Sequence, residues 1–394
     1  MTNAIEETDI LIVGAGPTGL ALATVLRQSG ITPVIVDRLS TGQSTSRAAV
    51  IHAHTLEVLE QIGVTKQLEN QGLKLSRFSI RDRDRTLVRL RFDDLPTRFA
   101  CLLMLPQDRT ERILNRGLVQ AGGDVRWGHE VESFTETASG IRATIRSGDG
   151  VRTVHAKYVV GADGMHSRVR QAAGIGFTGD TYAESFVLAD VEMTWGPGRD
   201  EVMLFFSPAG LVVVAPLPEA NRFRVVATMD AAPEHPGVAD IQALLDGRGP
   251  GSHAARVSTV LWSSRFRLHH RVADRYRRGR YLLMGDAAHV HSPAGGQGMN
   301  TGLVDACVLG RLLADVVLGR KDDSHLDLYE ARRRPAAQMV MKMAGRLTAM
   351  ATMRHPARRF ARNTILRIVN LLPMARRRLE MNLSGLSRRS AAQI

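Results

Sequence analysis

The stretch from Arg280 to Asp305, RYLLMGDAAHVHSPAGGQGMNTGLVD, constrains the fold of this chain more than any other. An apolar run from Tyr281 to Met284 stops at Gly285 and Asp286, and a glycine-rich turn follows at Gly295, Gly296 and Gly298. Asn300 to Asp315 then reads as a helix. A strand that delivers an acidic residue and bare backbone amides to one spot is ligand-binding architecture. Glycine lets the main chain approach a flat ligand closely, and the amides that open the helix favour negative charge there. Such a stretch requires a partner elsewhere in the chain.

The partner stands at the beginning. Residues Asp9 to Gly30 read as an apolar strand, the turn GAGPTG and a helix with a glycine stop. Gly14, Gly16 and Gly19 fit the GxGxxG spacing, in which the glycines permit a tight turn, the approach of a pyrophosphate and close helix packing. The run PVIVD follows as a second strand and ends at Asp37, 18 residues after Gly19, where a carboxylate can bind ribose hydroxyls. Arg38 is either an adenine-side contact or a solvated side chain. Arg47 has the guanidinium suited to phosphate oxygens. Farther on, the apolar strand ending in GADG repeats the arrangement at 285–286, so Asp163 points at a cofactor or caps the helix expected from Ser167 to Ala173. His52 and His54 form an HxH pair, but nothing nearby completes a ligand set and no metal is expected.

The remaining segments supply the frame. Phe78 to Phe92 alternates charged and apolar residues as a half-exposed hairpin does, and Gln107 and Asp108 lead into a helix with Ile113, Leu114 and Leu118 on one face. Three short strands, EVESFTET, GIRATIRS and TVHAKYVV, form an antiparallel meander. From Phe177 to Arg278 the texture is β-rich, with Pro/Gly clusters between pieces, as in a second sheet inserted between parts of the nucleotide domain. Its apolar strands can wall a pocket, although Phe205, Phe206 and Trp262 taken singly are more in keeping with plain core.

Charge excludes less than its sum suggests. The net charge is +13, yet residues 345–394 hold 11 Lys and Arg against Glu380 alone, while the other 344 residues hold 41 against 38. The body is close to neutral, and the tail lacks the interleaved aromatics that would stack bases, so nucleic acid is not an expected partner. The tail segment ILRIVNLLP is too apolar for a solvated face: it docks on the body, or its basic flanks hold it to anionic lipid. Cys101 and Cys307 give no disulfide framework. No signal segment is evident, and no apolar run reaches the roughly 18 residues of a membrane span, which leaves the cytoplasm as the expected location.

Together GAGPTG with Asp37, GADGMHSRVR, and RYLLMGDAAHVHSPAGGQGMNTGLVDA resemble the class A flavoprotein monooxygenases, the family of para-hydroxybenzoate hydroxylase and phenol hydroxylase. The resemblance spans about residues 8 to 335. It implies an α/β fold with a Rossmann-like FAD-binding domain (1–176 and 281–344) and a β-rich substrate domain (177–280, joined by sheet segments near 75–105), while the basic helical C-terminal segment (345–394) lies beyond it. By that likeness Gly14, Ala15, Gly16, Pro17, Gly19, Asp37, Arg38 and Arg47 hold the ADP part of FAD. Gln107 lies near the flavin linker, Val131 meets adenine through its backbone, and Asp163 belongs to a motif shared with the reduced nicotinamide. Asp286 takes the ribityl or pyrophosphate end, and Pro293, Gly296, Gly298, Met299 and Asn300 lie by the isoalloxazine.

Departures from the family pattern are Asp37 for a common Glu, His54 for an Arg, Ser292 for a Pro, CVLGRLL without a Trp-Lys pair, and no thioredoxin-like C-terminal domain within the 394 residues. The implied reaction uses NADPH or NADH and O2 to insert one oxygen into an aromatic or polyketide-like substrate through a flavin C4a-hydroperoxide. Hydroxylation is the main expectation, with Baeyer–Villiger or epoxidising chemistry, a flavin reductase and a non-catalytic flavoprotein as alternatives. A halogenase would carry a WxWxIP stretch, and Trp127, Trp195 and Trp262 are not so placed. The cofactor carries the hard chemistry, so no side chain is assigned as an essential catalyst. His291 is a candidate for substrate deprotonation, and His289 and His291 are equally suited to structural roles. A monomer or homodimer is expected, with the basic tail as a peripheral membrane contact.

Overall fold

A computed structural model describes residues 5–42, 48–229, 233–251 and 255–393. Two large sheets carry the molecule. The first runs in the order Arg277–Arg278, Tyr281–Leu283, Gly150–Gly161, Glu6–Val13, Val34–Asp37, Arg126–Trp127. The four strands from Tyr281–Leu283 to Val34–Asp37 are parallel. Their apolar runs are buried on both faces, with Ile10, Leu11, Val159, Leu282 and Leu283 at 0% exposure, as a sheet covered on both sides requires. The meander Glu130–Glu136, Ile141–Ser147 and Gly150–Gly161 hangs from this sheet with antiparallel pairing.

Register decides where a site can form. Val13 pairs with Val36 on one side and with Gly161 on the other, and Gly161 pairs with Leu283. Four strands therefore end abreast, and Gly14, Asp37, Ala162 and Gly285 leave the sheet along one edge. Helix Gly298–Val317 packs against helix Pro17–Gln28, with Gly310 set against Val25 and Leu22.

The second sheet has the order His289–Val290, Ala255–Ala273, Phe177–Trp195, Arg222–Met229, Gly210–Pro216, Glu201–Ser207, Arg77–Asp82, Arg85–Arg91. The hairpin of residues 77–91 joins it through parallel pairing of Arg77–Arg81 with Glu201–Phe205. Leu102–Met104 does not. Expected among the segments that pair with this sheet, it lies between Val50–Ile51 and Leu73–Leu75 in a separate three-stranded sheet. Its three apolar side chains are buried there, and pattern alone does not choose between two apolar partners. Helix Val238–Arg248, absent from the β-rich expectation, covers the outer face with Ile241, Leu244 and Leu245 against Met203, Phe205 and Val225.

Beyond Asp305 the chain is helical: Asp327–Ala351, Pro356–Leu371, Pro373–Leu383, then a 3-10 segment from Leu386 to Ala392. The tail docks on the body. Arg362 donates to the Met350 carbonyl at 2.7 Å and lies 4.5 Å from the Phe206 ring centroid. Asn370 accepts from the Arg89 amide at 2.9 Å and Glu380 from the Arg91 amide at 3.0 Å. These contacts cover the open edge of the second sheet, which would otherwise offer unpaired amides. Cys101 and Cys307 are free and buried. Among the described residues no helix is long and apolar enough to cross a membrane.

At position 310 a Cβ atom would sit 2.6 Å from Val25 Cγ1 and 2.8 Å from Val25 Cβ. Gly310→Val should therefore wedge the two helices apart and lower stability by about 1–3 kcal/mol, read as a lower urea midpoint with an unchanged slope.

Candidate active site

The strand ends open into a cavity of about 630 Å³ that runs from the first sheet to the inner face of the second. Each glycine of the first turn does a different job. Gly14 holds φ +104°, and its Cβ would stand 2.4 Å from the Ala162 carbonyl oxygen, so the first and third loops touch only because the side chain is missing. Gly19 passes under the turn, where a Cβ would meet the Gly14 carbonyl oxygen at 1.9 Å. A Cβ on Gly16 would meet nothing within 4 Å and would project into open space. Helix Pro17–Gln28 begins there without a side-chain cap, leaving its first amides for an anion.

Asp37 ties two of these ends together: one carboxylate oxygen accepts from the Ala15 amide at 2.7 Å and the other from the Leu39 amide at 2.9 Å. Each oxygen retains a lone pair for a ligand hydroxyl. Asp163 joins both of its expected positions. One oxygen accepts from the amides of Arg168 at 2.7 Å and Val169 at 3.3 Å, capping the short helix, and the residue also lines the cavity. Burial pushes its carboxyl above the ordinary value against those hydrogen bonds.

The loop after Leu283 is held from behind by a fully buried ion cluster. Asp305, at 0% exposure, accepts from His289 Nε2 at 2.7 Å and from Arg333 Nε at 2.7 Å. Burial alone would raise this carboxyl, but Arg333 and His289 outweigh it and hold it below its ordinary value. Tyr276 stacks on His289 with centroids 6.0 Å apart, and Tyr329 donates to the Leu283 carbonyl at 2.9 Å. His289 is thus held in this cluster and does not line the cavity. Gly285, at φ +56°, fits against Thr18, where a Cβ would lie 2.9 Å from Oγ1.

The turn at 295–298 is fixed by side chains around it. Asn300 accepts from the His52 amide at 2.8 Å and donates to the carbonyls of Val50 at 2.9 Å and Gly296 at 2.8 Å. Gln297 donates to the Leu383 carbonyl at 2.9 Å and accepts from Arg388 at 2.9 Å, which binds the tail to this turn. His52 Nε2 lies 2.9 Å from the Gly295 carbonyl. His291 Nδ1 donates to the Ser292 carbonyl at 2.8 Å, which leaves Nε2 as an acceptor, buried, without a partner and on a residue that lines the cavity. Burial pushes both imidazoles down to about 4, so both are neutral at pH 7.

Of the residues singled out by sequence, Gly14, Gly16, Pro17, Asp37, Arg38, Gln107, Val131, Asp163, Asp286, His291, Pro293, Gly296, Gly298 and Met299 line this one cavity. Ala15, Gly19 and Asn300 do not. The Ala15 amide is taken by Asp37, Gly19 lies beneath the turn, and the Asn300 side chain is spent on Val50, His52 and Gly296. Arg47 lies outside the described residues. His54 turns to Glu57 at 3.4 Å. Phe205 packs on the outer face and Phe206 under the tail, while Phe186, Leu188, Leu204, Val213 and Val226 form the apolar wall.

Sequence reasoning missed two groups. Arg224 sits on that wall, 3% exposed, with a two-pronged pair to Asp190 at 2.7 Å and 2.7 Å and a further hydrogen bond to the Ala48 carbonyl at 2.7 Å. Its only signal was a charge inside the apolar run RFRVVATM. Arg333, the partner of Asp305, lies 28 residues away in a helix rich in arginine, with nothing to mark it.

The two depressed imidazoles have a consequence for stability. In the unfolded chain they titrate near 6.5 and in the fold near 4, so between those values the unfolded chain binds more protons. Their contribution is complete above 6.5 and is lost as pH falls toward 4. Unfolding free energies of the flavin-free protein from urea titrations should fall from pH 7 to pH 4.5 by up to ~3 kcal/mol per histidine, and His291→Asn should flatten the slope.

A model of the family described as "FAD binding domain" matches residues 7–344. The chain is 35% identical over 389 residues to 6-methylpretetramide 4-monooxygenase of Streptomyces rimosus, covering 96% of this chain and 69% of that one. It is 33% identical to pentachlorophenol 4-monooxygenase of Sphingobium chlorophenolicum, covering 84% and 63%. It thus spans about two thirds of the length of these relatives. Among solved structures, p-nitrophenol 4-monooxygenase from Pseudomonas putida DLL-E4 superposes with a TM-score of 0.89 at 23% identity, over 99% of this chain and 100% of that one, which shows the fold.

Proposed function

The chain belongs to the FAD-binding-domain family of flavin-dependent aromatic monooxygenases, and from that premise we propose that it hydroxylates a planar, conjugated aromatic or polyketide-like substrate with NAD(P)H and O2. The observation that carries this reading is the cavity itself. One end is built from backbone amides and carboxylates at aligned strand ends, and the other is an apolar sheet face with a buried, neutral imidazole nearby.

The residues fit FAD. The open space beside Gly16 and the uncapped helix suit a pyrophosphate, and the lone pairs on Asp37 suit ribose hydroxyls. We assign the ADP half to Gly14, Gly16, Pro17, Asp37 and Arg38, and the flavin end to Asp286, Pro293, Gly296 and the amides of Gly298, Met299 and Asn300. Gln107, Val131 and Asp163 complete the lining, with Asp163 in the turn that meets the nicotinamide. When bound and reduced, the flavin supplies the activation of O2 and the oxygen transferred to substrate.

The protein's own part is to bind, orient and exclude water. The uncapped start of helix Gly298–Val317 lies on the cavity, where its positive end would favour negative charge on a bound, reduced flavin. The wall of Phe186, Leu188, Leu204, Val213 and Val226 holds an apolar ring system and displaces solvent from it. Arg224, paired with Asp190, ties this wall to residue 48 on the cofactor side and fixes the distance between the two halves. His291 Nε2, neutral and without a protein partner, accepts a hydrogen bond from a substrate hydroxyl and orients the ring.

The same reading divides the chain into a cofactor part (1–176 and 281–344), a substrate part (177–280 with the hairpin 77–91) and a basic helical segment (345–394). It takes the chain to act as a monomer or homodimer, with the basic segment as its membrane-facing element.

Turnover under labelled oxygen tests the proposal. NADPH oxidation should rise with one class among simple phenols and polycyclic aromatics, and the product should be heavier by a single labelled oxygen. A product with a ring-expanded lactone would replace hydroxylation by Baeyer–Villiger insertion, and an unlabelled product would end the monooxygenase reading. Leu204→Lys, which puts a charge in the apolar wall, should cut substrate-stimulated oxidation by about tenfold or more and leave the bound flavin spectrum intact.

A further inference from the structure

The helix Pro356–Leu371 has two faces of different character. Inward it places Leu366, Arg362, Asn363 and Asn370 against the body. Outward it exposes Phe360 at 75%, Ile365 at 59%, Ile368 at 50% and Leu371 at 78%, and the row continues into Leu372 at 51% and Met374 at 82%. At 3.6 residues per turn Phe360, Ile365, Ile368 and Leu371 form one arc of this helix. Arg367, seven residues after Phe360, lies at one edge of the arc, and Arg358, seven before Ile365, lies at the other. Both arginines are exposed, as is Arg378 beyond the end of the row. The only acid of the segment, Glu380, is turned inward to the Arg91 amide.

An exposed apolar arc bracketed by arginines, with no outward carboxylate, matches a surface that is apolar below and negative at its rim. We propose that this face lies flat on an anionic lipid bilayer, with the apolar residues in the headgroup–acyl boundary and Arg358, Arg367 and Arg378 among lipid phosphates. Charge argues for lipid over a second copy of the chain, because a two-fold contact through this face would set arginines against arginines with no acid to offset them. The inference deepens the membrane-facing role given to the segment above and does not use the flavin site. The docked inner face also fixes the arc in place, so no folding on binding is required.

Sedimentation of the FAD-loaded full chain with vesicles tests this. The protein should pellet with phosphatidylcholine–phosphatidylglycerol vesicles, not with phosphatidylcholine alone, and should be released by salt. Ile368→Ser with Leu371→Ser, and separately Arg358→Glu with Arg367→Glu, should each lower the bound fraction by about tenfold or more. Flavin content and NADPH oxidation in solution should stay unchanged, which separates failure of this inference from failure of the enzymatic reading. Equal sedimentation of the variants, no sedimentation with anionic vesicles, or a dimer in light scattering that both pairs of substitutions dissolve would overturn it.

Discussion

The alignment of four strand ends is the constraint on which the rest depends. Val36, Val13, Gly161 and Leu283 stand side by side in parallel register, so the loops that follow them share one edge. A one-residue slip of any strand would invert its faces and pull its loop out of line. The contacts between loops leave no slack: the first passes the third strand's loop where only a glycine fits, and Gly285 meets Thr18 of the first helix. Binding capacity therefore comes from backbone, brought together by register and kept close by missing side chains.

A second constraint opposes the first. Loops made of glycine and bare amides are weakly held by their own side chains, and the fold anchors them with polar groups placed behind the cavity. Asp305 joins His289 and Arg333 where none reaches solvent, and removing one partner would leave a buried charge uncompensated. Asn300 and Gln297 do the same for the turn at 295–298, with the tail supplying Leu383 and Arg388. The C-terminal segment thus has an inner role in holding the site and an outer apolar face turned to solvent.

Much of the cavity was legible because its parts are local. GAGPTG, the strand end at Asp37, GADG and GDAAHVHSPAGGQGMN each carry their own glycine and acid signals, and each lies on the cavity. What was not legible is pairing over distance. Arg333 looks like its neighbours in a basic helix, and Arg224 finds Asp190 across 34 residues. Strand parity offers no help there either, although Phe205 and Phe206 are core, as each reads singly. Glu201–Ser207 is buried throughout, so alternation does not tell which residues face the cavity, and Leu204 proved to line it where Phe205 and Phe206 did not. The tail kept two readings because both faces of its helix are apolar enough to pack, and only the fold divides them.

Equilibrium titration of the flavin-free protein with FAD tests the central claim most directly. The account predicts uptake of equimolar FAD with quenching of flavin fluorescence, and a loss of affinity of about tenfold or more when Gly16→Val fills the open space beside the helix start while the circular dichroism spectrum is unchanged. A protein that takes up no FAD, or a Gly16→Val variant that binds it as tightly as the parent, would contradict the account.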